Sequence, residues 1–168
     1  GAKWAIAPWI ISHLPPHTHY CEPYLGSGAV FFGKEPAAYE VINDLSGDVV
    51  NLFQVIRSDA DHLAALLEMT PWAREEYNNS DRPTTDPIEA ARRFLVHCQQ
   101  SFGRGIPGVK TGWKTKSTPY TLRRWAGLPT DICAIVERLR SVQIENRPGL
   151  DVIKRHCDKD TLIYADPP

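Results

Sequence analysis

The sequence predicts an α/β fold: a parallel, doubly wound sheet that is interrupted by a mostly helical, basic insertion. Short apolar segments alternate with helical patterns near both ends of the chain, which is typical of parallel strands joined by crossover helices. Between them the alternation stops, and helical stretches adjoin a long loop rich in glycine, proline, threonine and lysine. We therefore predict the first part of the sheet at 1–57, the insertion at 58–137 and the continuation of the sheet at 138–168.

The first segment has the pattern of a helix, a strand, a turn, a second strand and a second helix. Apolar residues at helical spacing predict a helix from about Ala5 to Leu14, where two prolines end it. "HTHYCEP" predicts the first strand, and a glycine turn then leads into a helix of small and aromatic residues. "AAYEVINDL" predicts the second strand, after which Ser46 is a plausible N-cap for an amphipathic helix.

The insertion is predicted from two helical patterns and one long irregular stretch. "DHLAALLEMT" and "DPIEAARRFLVHCQQ" predict helices, whereas "SFGRGIPGVKTGWKTKSTPYTLRRW" predicts a loop. A loop of this length inside a compact domain is usually functional or mobile. A helix is predicted again at "TDICAIVERLRS", and strand, helix and strand patterns then resume up to Pro168.

The charge is unevenly distributed. The formal net charge is −1, yet no acidic residue lies between Glu89 and Asp131, an interval that contains eight lysines and arginines and several aromatic residues. This composition indicates a local surface for a polyanion, the alternative being a solvated loop that lacks acids. The four cysteines form no CxxC pair and three clustered histidines lack a partner at ligand spacing, so we expect free thiols and no metal site.

A glycine turn after the first strand is the first candidate site. Glu22 ends the strand, Gly26 and Gly28 form the turn, and Asp44 follows the next strand at the spacing of acids that bind ribose hydroxyls. There is no Gly-Lys-Ser/Thr of a P-loop, and an acid beside the turn suits a cationic, amino-acid-bearing nucleoside better than a pyrophosphate. Taken alone, the turn is equally compatible with a purely structural role.

The last strand pattern ends in Asp166-Pro167-Pro168, the second candidate site. An aspartate and a neighbouring free carbonyl form a pair of acceptors that can hold an exocyclic amine. The alternative is an ordinary turn at the end of a strand, because Asp-Pro is a common turn dipeptide.

Together these motifs resemble those of Dam-like, alpha-order DNA adenine-N6 methyltransferases, in particular phage and prophage members. "EPYLGSG" resembles the family's S-adenosylmethionine loop, "DPP" the start of its DPPY motif, and "GAKWAIAPWIISHLP" its N-terminal motif, in the family's order. The resemblance implies a partial Rossmann-like methyltransferase sheet in which 58–137 is the target-recognition insertion. An aspartate in the first position of DPPY implies adenine as the target base.

The resemblance also implies roles for individual residues. The catalytic residues would be Asp166, Pro167 and Pro168. The cofactor, S-adenosylmethionine, would be bound by Lys3, Trp4, Glu22, Pro23, Tyr24, Gly26, Gly28 and Asp44. Duplex DNA would be contacted by Arg104, Lys110, Lys114, Lys116, Arg123 and Arg124. The expected setting is the cytoplasm of a bacterium or a phage-infected host, with no membrane partner and with a restriction endonuclease as a candidate partner.

The sequence departs from the family pattern at three places. Ala2 stands where the family has a glycine, and 146–148 reads Asn-Arg-Pro where an acid usually contacts the cofactor's adenine, with Asp151 slightly later. The aromatic residue that follows DPP in the family is absent, so we expect the natural protein to continue beyond Pro168 and this segment alone to be poorly active. Two alternatives stay open: a non-catalytic nucleic-acid-binding remnant, and a methyltransferase that acts on RNA or on a protein amide.

Overall fold

A computed structural model describes residues 3–103 and 111–168. Its strands are β1 (His19–Glu22), β2 (Tyr39–Asn43), β3 (Val142–Glu145) and β4 (Thr161–Ile163). Its helices are α1 (Ala7–Ile11), α2 (Ala29–Gly33), α3 (Gly47–Glu68), α4 (Arg74–Asn79), α5 (Pro87–Gln100), α6 (Pro119–Ala134), α7 (Val136–Leu139) and α8 (Gly149–His156). The element order confirms the predicted α/β class. None of these helices, within the ranges described, is long and apolar enough to cross a bilayer.

The four strands form one sheet in the order β3-β2-β1-β4, and every neighbouring pair is parallel. The register pairs Glu22 with Ile42 and Cys21 with Ile163. Because parallel strands end at the same edge of a sheet, the residues that follow β1, β2 and β4 meet at one edge. This edge receives both candidate sites that the sequence predicts.

Successive residues of β1 and β2 are buried, rather than alternate ones. Tyr20, Val41 and Ile42 are fully buried, as expected for central parallel strands covered on both faces. On one face Val152 of α8 packs against Cys21 and Val41. Strand alternation puts Tyr20 and Glu22 together on the opposite side of β1 from Cys21.

A buried cluster of charges fastens β2 to the chain on either side of it. The Glu40 carboxylate accepts hydrogen bonds from Lys34 at 2.6 Å, from the Ala37 backbone N–H at 3.0 Å and from both terminal nitrogens of Arg138. Burial alone would raise the pKa of Glu40, but the bonds from Arg138 and Lys34 outweigh it and lower that pKa below its ordinary value. The Arg138 guanidinium also lies 3.9 Å from the centre of the Phe31 ring.

The contacts divide the chain into two compact units. One comprises residues up to Val50 together with Arg138–Pro168 and contains the sheet; the other is Asn51–Glu137. In the second unit, Trp125 is buried and its indole N–H donates to the Thr70 carbonyl at 3.0 Å. Arg92 in α5 bonds to Glu89 and Glu76, so it serves to bind helices together rather than to face solvent.

The prediction of one long loop in the insertion is partly wrong. Its last residues, expected to be irregular through Trp125, belong to α6, which begins at Pro119. The Thr118 hydroxyl caps this helix by accepting from the Thr121 N–H at 3.2 Å. A Thr-Pro pair at the N-cap and first helical position is a start signal that the composition of the surrounding stretch obscured. The first helix, Ala7–Ile11, is also shorter than predicted.

Candidate functional site

The glycine turn after β1 is a bend that only glycine adopts readily. Gly26 has φ 52° and Gly28 has φ 65°, both in the left-handed region. At Gly28 an added Cβ would lie 2.7 Å from the Phe32 ring, whereas at Gly26 it would meet no atom within 4 Å. Gly28 therefore joins the strand to α2 at close packing, and Gly26 leaves open space beside the backbone.

These surroundings predict different costs for two alanine substitutions. Gly28→Ala should lower the free energy of unfolding by about 2–4 kcal/mol, because it adds left-handed strain and a collision with Phe32. Gly26→Ala, the matched control, adds the strain alone and should cost about 1–2 kcal/mol. Denaturant unfolding of both variants measures the difference. Equal losses would contradict the packing role assigned to Gly28.

Asp44 ties this bend to the end of the next strand. Its Oδ2 accepts from the Gly26 N–H at 2.8 Å, and its Oδ1 accepts from the Ser46 N–H at 2.9 Å. A carboxylate offers about four acceptor positions, so two positions are left for other donors. Asp44 is half-buried beside the open space at Gly26. Ribose binding by Asp44 stays a prediction.

Asn43 is a supporting residue that sequence reasoning missed. Its buried amide nitrogen donates to the Pro23 carbonyl at 2.8 Å and to the Arg147 carbonyl at 3.0 Å. Its oxygen accepts from the Arg147 N–H at 2.9 Å. The amide thus binds the segments that follow β1 and β3 to the end of β2. The available signal was a polar asparagine at the end of an otherwise buried strand. Its hydrogen-bond partners could not be predicted, because they are distant in the sequence.

The segment 146–148 has a structural role in place of the acid that the family pattern led us to expect. The Asn146 amide donates to the carbonyls of Asp44 and Leu45, at 2.8 and 3.2 Å. Asp151 is exposed in the first turn of α8. At Gly149 an added Cβ would lie 2.5 Å from the Tyr24 ring, so that ring packs directly on the start of α8.

Glu22 is a buried acid with neutral partners. Its side chain is 3% exposed and accepts a hydrogen bond of 2.6 Å from the Tyr20 hydroxyl. Burial raises the pKa of Glu22 to about 7, against the opposing effect of hydrogen bonds from Tyr20 and the Phe31 N–H. The negative charge of Asp166 raises it further, and Lys34 acts in the opposite direction. No salt bridge to Glu22 occurs among residues 3–103 and 111–168. A buried carboxylate without a salt-bridge partner of its own is stabilised by a cation that binds beside it.

Asp166 lies at the same edge of the sheet. The Tyr164 N–H donates to the Cys21 carbonyl at 2.9 Å, so the chain after β4 runs alongside the end of β1. The Lys3 ammonium lies 2.9 Å from Oδ1 and 2.7 Å from Oδ2 of Asp166, both side chains being about a third exposed. This hydrogen bond with Asp166 raises the pKa of Lys3. Lys3, which was predicted to contact the cofactor, thus forms a salt bridge with the predicted catalytic acid, Asp166.

The other predicted residues flank this edge. Pro23 is buried, Tyr24 is half-buried, and Trp4, Pro167 and Pro168 are exposed. Three carboxylates (Glu22, Asp44 and Asp166), a glycine bend and a lysine therefore occur together at the carboxyl edge of a parallel sheet. Among the residues that the structure describes, no group of three potential metal ligands occurs.

The family model of the D12 class N6 adenine-specific DNA methyltransferases matches residues 1–168. The chain belongs to this family. It is 25% identical to the DNA N-6-adenine-methyltransferase of Escherichia phage P1 over 137 residues, which are 71% of this chain and 17% of that protein. It is 32% identical to the type II methyltransferase M1.LlaDCHI of Lactococcus lactis subsp. cremoris over 68 residues, which are 40% of this chain and 24% of that protein. The chain therefore spans only a minor part of the length of these relatives.

Members of a DNA methyltransferase family need a surface for the DNA backbone, and the predicted cations lie in the second unit. Lys116, Arg123 and Arg124 are exposed, and Lys114 is half-buried. Lys114 follows an antiparallel bridge between Ser101 and Trp113, and its N–H donates to the Gln100 carbonyl at 2.8 Å. The remaining two predicted DNA contacts, Arg104 and Lys110, lie outside the described residues.

Proposed function

We propose that the protein containing this chain methylates the N6 amine of adenine at a specific sequence in duplex DNA, with S-adenosylmethionine as the methyl donor. One observation carries the proposal. In a chain of the adenine-N6 family, the buried acid Glu22, the bend at Gly26 and Gly28, and the acid Asp166 meet at one edge of a parallel sheet. Ligands of open α/β sheets bind at this edge.

The residues at the edge fit S-adenosylmethionine. Its amino group is a cation, and Glu22 is a buried carboxylate whose hydrogen-bond donors are neutral. Its ribose hydroxyls suit Asp44, which has acceptor positions left beside the open space at Gly26. When bound, S-adenosylmethionine supplies an electrophilic methyl group on its sulfonium. Pro23 and Tyr24 would line the bend, and Lys3 and Trp4 would approach from the segment that precedes α1.

Asp166 is proposed to accept a hydrogen bond from the target amine, together with the Pro167 carbonyl. This pair orients the nitrogen lone pair, and orientation carries much of the rate in transfers of this kind. The Lys3 ammonium contacts both Asp166 oxygens, so it holds this side chain in place in the absence of a target amine. The target adenine must leave the duplex, because its amine is otherwise engaged in a base pair.

Exposed cations of the second unit are proposed to bind phosphates. Replacing Lys116, Arg123 and Arg124 together by alanine should weaken binding of any duplex. If each contacts one phosphate, the slope of log K against log salt should fall by about 2–3. The matched control replaces Lys154, Arg155 and Lys159, which are also exposed but lie in α8 or just after it, in the first unit. Fluorescence anisotropy at several salt concentrations measures both slopes, and equal slope changes would contradict the assignment.

The proposed activity belongs in the cytoplasm of a bacterium or a phage-infected host. A restriction endonuclease stays a proposed partner, and the lactococcal relative is named as a type II methyltransferase.

A methylation assay tests the proposed reaction. The protein is incubated with methyl-labelled S-adenosylmethionine and duplex DNA, RNA or a protein mixture, and the products are analysed by mass spectrometry. We expect N6-methyladenine in duplex DNA alone. Label in RNA or in protein would assign a different substrate, and DNA binding without any label would favour the non-catalytic alternative.

A further inference from the structure

We propose that Tyr20 is a positioning residue for cofactor binding: its hydroxyl holds the Glu22 carboxylate in the orientation and charge state that receive the cofactor's amino group. This role rests on the proposed use of S-adenosylmethionine. Tyr20 lies in the predicted strand "HTHYCEP" but in neither of the two candidate sites that the sequence predicts. It adds a residue inside β1 to a site otherwise made of strand ends and loops.

The geometry of β1 brings the two side chains together. Tyr20 lies two residues before Glu22, so both point to the same side of the strand. The tyrosine is fully buried, and its hydroxyl lies 2.6 Å from Oε2 of Glu22. This length is typical of a hydroxyl that donates to a charged oxygen. The bond fixes the carboxylate and leaves other lone pairs for an incoming N–H donor.

Tyr20 is itself held in place by the buried charge cluster. The Lys34 ammonium lies 4.3 Å from the centre of the Tyr20 ring and bonds to Glu40 at 2.6 Å. Glu40 is in turn held by Arg138. Because Lys34 is itself held by this ion pair, moving the Tyr20 ring would lose a cation–π contact with a fixed cation, and this contact favours one position of the hydroxyl. Such support is what a positioned carboxylate requires.

The surroundings of Glu22 make this donor important. Burial raises the pKa of Glu22 to about 7, and the hydrogen bonds from Tyr20 and the Phe31 N–H limit the rise. The titratable and charged groups that act on the two side chains are Cys21, Lys34, Glu40, Tyr164 and Asp166. Without the phenol hydroxyl, the pKa of Glu22 should rise further. At neutral pH more of the carboxyl would then be protonated and unable to pair with an ammonium group.

Tyr20→Phe tests this role, since it removes the hydroxyl and keeps the ring. In the ligand-free protein, the ¹³C resonance of the Glu22 carboxyl should titrate with a higher midpoint than in wild type. The affinity for S-adenosylhomocysteine, measured calorimetrically, should fall about tenfold at pH 7 and recover in part at pH 8.5. The matched control is Tyr77→Phe, which removes a buried hydroxyl that donates to the Thr111 carbonyl in the second unit. Tyr77→Phe should change neither the titration midpoint of Glu22 nor the affinity for S-adenosylhomocysteine.

The outcomes separate this role from the proposed function. Wild-type protein that binds no S-adenosylhomocysteine would overturn the proposed function, and the role of Tyr20 with it. Normal wild-type binding, with the Glu22 midpoint and the affinity unchanged in Tyr20→Phe, would overturn the role of Tyr20 alone. If Tyr20→Phe does not fold, wild-type protein labelled at the tyrosine Cζ replaces it. The Tyr20 resonance should then follow the Glu22 titration, and a resonance that is constant across that range would reject the proposal.

Discussion

Asp166→Ala is expected to reduce methylation of adenine by at least about a thousandfold while leaving cofactor affinity nearly intact. The substitution removes the acceptor that orients the target amine. It also removes a negative charge that raises the pKa of Glu22, so that pKa should fall and binding of S-adenosylhomocysteine near pH 7 should be unchanged or slightly tighter. Single-turnover methylation and calorimetry measure the two effects.

Lys3→Ala is the control for Asp166→Ala, because it breaks the same salt bridge and keeps the acceptor. It should retain far more activity than Asp166→Ala. Turnover of Asp166→Ala within tenfold of wild type would remove Asp166 from catalysis. Equal losses in the two variants would assign the effect to the salt bridge.

Glu22→Gln should weaken cofactor binding by at least about a hundredfold, because an amide cannot neutralise a buried ammonium group. The same substitution should stabilise the ligand-free protein. A pKa raised from 4.5 to about 7 means that ionising this buried acid costs about 3 kcal/mol in the folded state. This loss of stability develops as the pH rises from about 4.5 to 7, and it is complete above about pH 7. The variant should therefore unfold at higher denaturant than wild type at pH 8, with little difference at pH 4.5.

Glu40→Gln is the matched control for Glu22→Gln, since it changes a second buried acid of the sheet in the same way. The pKa of Glu40 is lowered, so its charge stabilises the fold above the pKa of the unfolded chain, and that contribution is lost as pH falls through the folded pKa. Removing the charge leaves Lys34 and Arg138 without their partner. The variant should lose about 3–5 kcal/mol at pH 8. Stability changes of the same sign in both variants would contradict the electrostatic description of Glu22.

The sequence predicts the sheet and the ends of its strands well, for a physical reason. Buried parallel strands are short apolar runs, and the polar residues that end them, Glu22, Asp44 and Asp166, are visible as interruptions. Glycines that need a positive φ are equally visible beside them. Because parallel strands finish at one edge, the order of the motifs is enough to expect that these residues meet.

Contacts between distant residues were not predictable in this way. Lys3 and Asp166 are 163 positions apart, and Arg138 and Glu40 are 98 positions apart, so no local pattern connects them. The hydroxyl of Tyr20 is local to Glu22, but a tyrosine in an apolar strand is normally read as core. The start of α6 was locally encoded by Thr118 and Pro119, and the loop-like composition around it masked the signal.

The most direct test of the proposed site is a crystal structure of the protein with S-adenosylhomocysteine bound. We expect the ligand's amino group on the Glu22 carboxylate, its ribose hydroxyls at Asp44 and its sulfur facing Asp166. A ligand at the amino-terminal edge of the sheet, or one whose amino group lies away from Glu22, would contradict it.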